Sequence, residues 1–209
     1  MPLVHSEKLE GNTTLFLWKL DEGEEELRAR LGSKYNLEDL ESITHPQKIR
    51  EWLASRLLIQ LLVEGNETIY EGTQKDEHGK AFLVNNNHHI SLTHTHDYVA
   101  AVINPDLPVG IDMEKVDYKL QRTANKYLSP EEYAHADGEL KTLCIYWCAK
   151  EALYKQYGKK KISFRDAIHV APFDSGDTQV NGFLRDEEIF ITARVFLRWF
   201  DDHCLAVSC

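Results

Sequence analysis

The sequence predicts an α+β fold of two similar halves, each a small, mostly antiparallel sheet carrying one long helix. Three observations predict it. Two long apolar helical segments stand far apart, at 46–64 and 139–157. Short β-prone segments cluster around each of them. The segment DYVAAV (97–102) resembles DHCLAV (202–207), as a duplicated strand would. Two prolines, Pro105 and Pro108, mark the change-over, so the expected domains are 1–105 and 106–209.

The elements follow in order. TTLFLWKL (13–20) reads as the opening strand, because Thr, Phe and Trp suit a half-buried pleated surface. The acidic run Asp21 to Glu26 starts a short helix, where negative charge meets the positive end of the dipole. Pro46 opens the first long helix, Ile49, Trp52, Leu53, Leu57 and Leu61 give it an apolar face, and Gly65 with Asn66 ends it. Residues 67–89 are turn-rich, with strands expected at 89–94, 97–104 and 109–114. Ser129, Pro130 and Glu132 form a capping-box signature, and the second long helix ends before Gly158. In the C-terminal region FITARVFL and HCLAVSC pair as a hairpin.

Composition narrows the class of function. Of 209 residues 43% are hydrophobic and 28% charged, too apolar for a disordered chain. The net charge of −10 argues against general nucleic-acid binding, which needs clustered positive charge. No signal peptide is visible, and the longest greasy stretch, Leu57 to Val63, is far short of the ~20 residues a bilayer needs. A cytoplasmic location and no membrane partner are expected. The four cysteines show no CxxC pair; Cys144 and Cys148, one helical turn apart, read as packing residues.

Three constellations carry chemistry. In Gly110-Ile111-Asp112-Met113-Glu114, strand alternation puts Asp112 and Glu114 on one face, ~6–7 Å apart, where one hard cation can bridge them. Gly110 leaves room for a ligand near the backbone. On the second helix Trp147, Glu151 and Lys155 form a stripe flanked by Lys150: a carboxylate between two ammonium groups, suited to a metal–polyphosphate complex. In His89-Ile90-Ser91-Leu92-Thr93-His94-Thr95, hydroxyls and an imidazole at a strand end can bond phosphate oxygens. Each has a plainer explanation when read alone: a solvated strand face, an i,i+4 pair worth about 0.2–0.5 kcal/mol, or polar loop histidines. A zinc site on the histidines ranks lower, with no cysteine nearby and no HExxH.

Taken together and in this order, the motifs resemble the 4′-phosphopantetheinyl transferase superfamily, particularly its single-chain pseudodimeric type. The chain shows Gly79-Lys80, then Thr93-His94-Thr95, then GIDME, then Trp147, Lys150, Glu151 and Lys155, over about residues 45–165. It departs in Ala81, where many members have proline, and in threonines flanking His94, where many have serine.

The resemblance implies transfer of 4′-phosphopantetheine from coenzyme A, lying between the halves, to a serine of an apo acyl or peptidyl carrier protein, releasing 3′,5′-ADP. It implies Asp112, Glu114 and Glu151 as ligands of Mg²⁺, with Mn²⁺ an alternative. Lys150 and Lys155 would contact the coenzyme phosphates, with Lys155 also near the reacting centre, and Glu151 would be the base, directly or through a metal-bound water. His94 and Thr93 would meet phosphates including the 3′-phosphate, and Lys80 would be the lysine of the substrate-binding turn. Arg50, Arg56 and Lys48 compete for the 3′-phosphate, Arg50 slightly favoured; Arg56 equally suits pairing across the halves. Tyr118 and Leu120 are candidates to receive the carrier helix or to pack in the core, and the basic run Lys159-Lys160-Lys161 to attract an acidic carrier. A monomer is expected. The competing readings are a non-catalytic relative that binds coenzyme A or a carrier, and an unrelated metal-dependent phosphohydrolase.

Overall fold

Alternation and turn residues set the first sheet. The computed structural model describes residues 3–32, 37–159, 161–187 and 189–209. The chain divides into two units, one of Met1–Lys75 with Ala81–Leu107 and one of Asp76–Lys80 with Pro108–Cys209. Lys160, from the basic run, lies outside the described residues.

In the first unit β1 (Leu3–Lys8), β2 (Thr14–Lys19), β5 (His89–His94) and β6 (Tyr98–Asn104) make an antiparallel sheet ordered β1-β2-β6-β5. The expected opening strand is therefore the second, and β1 was not anticipated. Gly11 and Asn12, both with positive φ (67° and 63°), turn the chain between β1 and β2. Helices α1 (Glu24–Leu31) and α2 (Glu38–Glu41) precede α3 (Pro46–Gly65), and a small β3 (Thr73–Lys75) to β4 (Ala81–Leu83) pair fills part of the turn-rich stretch. Leu53, Leu58 and Leu62 of α3 are fully buried against Trp18, Val99, Ala101 and Ile103. At about 1.5–3 kcal/mol per fully buried leucine, this docking outweighs helix propensity in fixing α3.

The second unit has a five-stranded antiparallel sheet, ordered β7-β11-β10-β9-β8. Its strands are β7 (Gly110–Lys115), β8 (Ile168–Val170), β9 (Gln179–Asp186), β10 (Ile189–Phe200) and β11 (His203–Ser208). The β10–β11 pair is the expected hairpin, with Phe196 opposite Val207. Three helices accompany it: α4 (Lys119–Tyr127), α5 (Pro130–Ala136) and α6 (Leu140–Tyr157). The Ser129–Glu132 capping box at α5 forms in both directions. Helix α6 lies across β7 and β11, burying Cys148, Ala149, Ala152 and Leu153. Small residues allow the close approach: a Cβ on Gly110 would meet the Ala152 carbonyl oxygen at 1.9 Å. The space that the sequence reading reserved at Gly110 for a ligand is taken by the helix.

Candidate active site

The acidic cluster belongs to the second unit. Strand β7 aligns Asp112 with Ala206 and Glu114 with Cys204 of the neighbouring strand β11. Its apolar side, Ile111 and Met113, is buried, which fixes the register and holds the two carboxylates on the opposite face. Asp112 is itself 6% exposed. From α6, Lys155 Nζ reaches Asp112 Oδ1 at 2.7 Å and the Ile111 carbonyl oxygen at 2.9 Å. Glu114 accepts from Lys119 Nζ at 3.1 Å and from the Trp147 indole at 3.4 Å.

Glu151 sits one turn before Lys155 on α6. Its carboxyl is pushed up to about 7, first by burial, then by the negative charges of Asp112 and Glu114, with Lys155 pulling the other way. The expected trio is thus electrostatically joined, although one oxygen from each does not fall within a 4.8 Å group. Three carboxylates offer the hard oxygen donors that suit Mg²⁺ or Mn²⁺, and a divalent ion there would offset the repulsion felt by Glu151. The donor set fits such an ion.

Lys150 departs from expectation. It is wholly buried, and its ammonium bonds Glu132 Oε2 at 2.6 Å and the carbonyl oxygens of Tyr127 and Phe164 at 2.7 and 2.9 Å. Glu132 also accepts from the Val170 amide. All three ammonium hydrogens are used inside the unit, so Lys150 ties α6 to α5 and to the chain after α6 rather than facing a phosphate. Lys80 donates to the Gln156 carbonyl oxygen at 2.7 Å, beside Gly158, whose φ of 77° ends α6. A cation there suits the negative end of the helix dipole, and burial pulls the Lys80 amine below its usual range. Leu120 is core, whereas Tyr118 is 73% exposed.

The first unit contains an open cleft of about 800 Å³, lined among others by Lys48, Glu51, Trp52, Arg56, Lys75 and His94. Buried Glu51 organises it, meeting Lys48 Nζ at 2.7 Å and His94 Nδ1 at 3.2 Å. The Arg56 guanidinium lies over the Trp52 ring, 4.3 Å from its centroid. Arg50 is elsewhere: its guanidinium donates to the carbonyl oxygens of Glu22 and Leu20, at 2.8 and 2.9 Å, and braces α3 against the end of β2. Of the three basic residues, Lys48 and Arg56 line the cleft, while the Arg50 guanidinium is engaged by backbone carbonyls. Thr93 is buried on the strand face opposite Leu92 and His94, which line the cleft.

Sequence reasoning missed Lys119, Glu51 and Glu132. Lys119 and Glu51 carried a local signal, as the first residue of α4 after GIDME and as the i+3 partner of Lys48. Glu132 was read only as a capping residue; its partnership with Lys150 is long-range.

A family model matches residues 108–208. The match is to the 4′-phosphopantetheinyl transferase superfamily. The matched segment runs from just before β7 to the end of β11 and contains Asp112, Glu114, Glu151 and Lys155. It supports phosphopantetheinyl transfer with coenzyme A as substrate, the family's chemistry. Lys48, Arg50, Arg56, Lys80, Thr93 and His94 lie outside the matched segment. No curated protein matched the chain. Among the described residues, no helix is long and apolar enough to cross a membrane.

Proposed function

We propose that the protein transfers 4′-phosphopantetheine from coenzyme A to a serine of an apo acyl or peptidyl carrier protein, releasing 3′,5′-ADP. The observation that carries the reading is the meeting, within the matched segment, of Asp112 and Glu114 of β7 with Lys155 and Trp147 of α6, the helix that also carries Glu151. Asp112, Glu114 and Glu151 are assigned to a divalent cation, Mg²⁺ or Mn²⁺. When bound, the ion would supply positive charge to the coenzyme pyrophosphate.

Lys155 supplies further positive charge to the phosphate oxygens, from the position it holds beside Asp112. Glu151, reaching the cluster from α6, is assigned to accept the serine proton, directly or through a metal-bound water. Serine oxygen bonds to the β-phosphorus as the bond to the departing 3′,5′-ADP oxygen breaks. Lys48, Arg56 and His94 are assigned to coenzyme phosphates, the 3′-phosphate among them, because two cationic side chains and an imidazole line one cleft. Arg50, Lys150, Lys80 and Thr93 take positioning roles instead. Tyr118 is assigned to contact with the carrier.

The test is incubation with coenzyme A, Mg²⁺ and a panel of apo carrier proteins, read by intact mass. A carrier gaining one phosphopantetheine supports the reading. Binding of coenzyme A with no carrier modified favours the non-catalytic relative, and phosphate release without a carrier favours a phosphohydrolase.

A further inference from the structure

We infer that Cys144, Cys148 and Cys204 form a closed three-sulfur site for a soft monovalent cation, Cu(I). The three sulfur atoms lie within 4.8 Å of one another, and all three residues are fully buried. A metal bonded equally to three sulfurs at ~2.3 Å holds them ~4 Å apart, so these thiols need only small movements to bind one. They also sit on rigid elements. Cys144 and Cys148 are one turn apart on α6, and Cys204 lies on β11, between β7 and β10 in the sheet and directly opposite Glu114. Such placement orders the donors before the ion arrives.

The donor set selects the metal. Among the described residues no further His, Cys, Asp or Glu joins the group, so the protein offers three soft donors and no fourth. Structural zinc is four-coordinate, and among the described residues no fourth side-chain donor joins the three sulfurs to complete its shell. Cu(I) is favoured by sulfur. The charge also closes. Entry of Cu⁺ releases one thiol proton to solvent, forming one Cu–thiolate bond, while the other two thiols donate lone pairs. The complex is neutral, as a dry interior requires, and no electron is transferred. The thiols otherwise have only weak bonds to give up, from Cys144 Sγ to the Glu114 carbonyl oxygen at 3.5 Å and from Cys148 Sγ to the Cys204 carbonyl oxygen at 3.4 Å. The thiols adjoin the carboxylate cluster, Cys144 Sγ reaching the Glu114 carbonyl oxygen and Cys204 standing across the strand pair from Glu114, but their soft donors are distinct from its hard oxygens.

The test uses the full chain, reduced and free of oxygen. It is incubated with Cu(I) buffered by a chromophoric chelator, and separately with Zn²⁺, then desalted. Native mass spectrometry is expected to show one copper per chain, with a thiolate-to-copper absorption in the near ultraviolet. Cys209→Ser, which alters the remaining cysteine, retains it. Cys148→Ala and Cys204→Ser, each checked for folding by circular dichroism, weaken retention about tenfold or more. No copper on the folded wild-type chain overturns the proposal and leaves three packing thiols. Copper held equally by the cysteine variants, or zinc held in preference, also overturns it.

Discussion

Gly110 of β7 lies directly under the Ala152 carbonyl of α6, so close that a Cβ at Gly110 would stand 1.9 Å from that oxygen and 2.6 Å from the Gln156 nitrogen. Both neighbours are backbone and cannot rotate away. Gly110→Ala must therefore lift the helix that carries Glu151 and Lys155 from the strand that carries Asp112 and Glu114. The expected cost is at least the 1–3 kcal/mol typical of overpacking, about that loss being visible in urea unfolding. Transfer activity falls further than stability does, because the acidic groups separate.

Lys150→Met tests whether that residue serves the fold. It leaves the Glu132 carboxylate buried without its ammonium partner, and loss of one member of such a pair costs about 3–5 kcal/mol. Lys150→Met with Glu132→Gln is expected to recover part of the loss. A Lys150→Met protein with unchanged unfolding midpoint but poor coenzyme binding would return the residue to the phosphate site.

Much of this architecture was legible in the sequence. Pro46, the capping box at Ser129 and two apolar stripes disclose α3, α5 and α6, and alternation in GIDME discloses the paired carboxylates. β1 was harder to see. Its LVHSEK carries few apolar residues and is a strand because β2 pairs with it. Helix α4 was overlooked although Leu120, Ala124 and Tyr127 mark its buried stripe. The fate of Lys150 was hidden for a different reason. It depends on Glu132, on the Tyr127 carbonyl and on the Phe164 carbonyl, which only folding brings together. Arg50 is similar: nothing local announces that its partners are the carbonyls of Leu20 and Glu22.

In the cleft of the first unit, Arg56 and Arg50 are predicted to separate by phenotype. Arg56→Ala loses a charge-assisted contact worth about 1.5–3 kcal/mol, roughly a 10- to 150-fold rise in KM for coenzyme A. With dephospho-coenzyme A, which lacks the 3′-phosphate, wild type and Arg56→Ala converge. Arg50→Ala instead lowers the unfolding midpoint, through two lost bonds to carbonyl oxygens, and leaves the KM near wild type. Steady-state kinetics with both coenzymes, beside urea unfolding, distinguishes the two.

The pH dependence follows from Glu151. Its folded carboxyl titrates at about 7, against an ordinary 4.5, so the folded state holds the proton more tightly than the unfolded state. That contribution to stability is complete below about pH 4.5 and is lost as pH rises through 7. In metal-free buffer Glu151→Gln, which cannot ionise, is therefore expected to melt higher than wild type at pH 8 and close to it at pH 5. Thermal melts with EDTA at the two pH values check the sign. A Glu151→Gln protein that gains nothing at pH 8 would mean that the carboxyl is not under repulsion.

The most direct test of the acidic cluster is a Mn²⁺ titration followed by electron paramagnetic resonance, with coenzyme A present. The wild-type chain is predicted to bind one Mn²⁺, and Asp112→Ala and Glu151→Gln, each verified as folded, are predicted to lose that site. Equal Mn²⁺ binding by wild type and both variants would contradict the assignment of Asp112, Glu114 and Glu151 to one divalent ion.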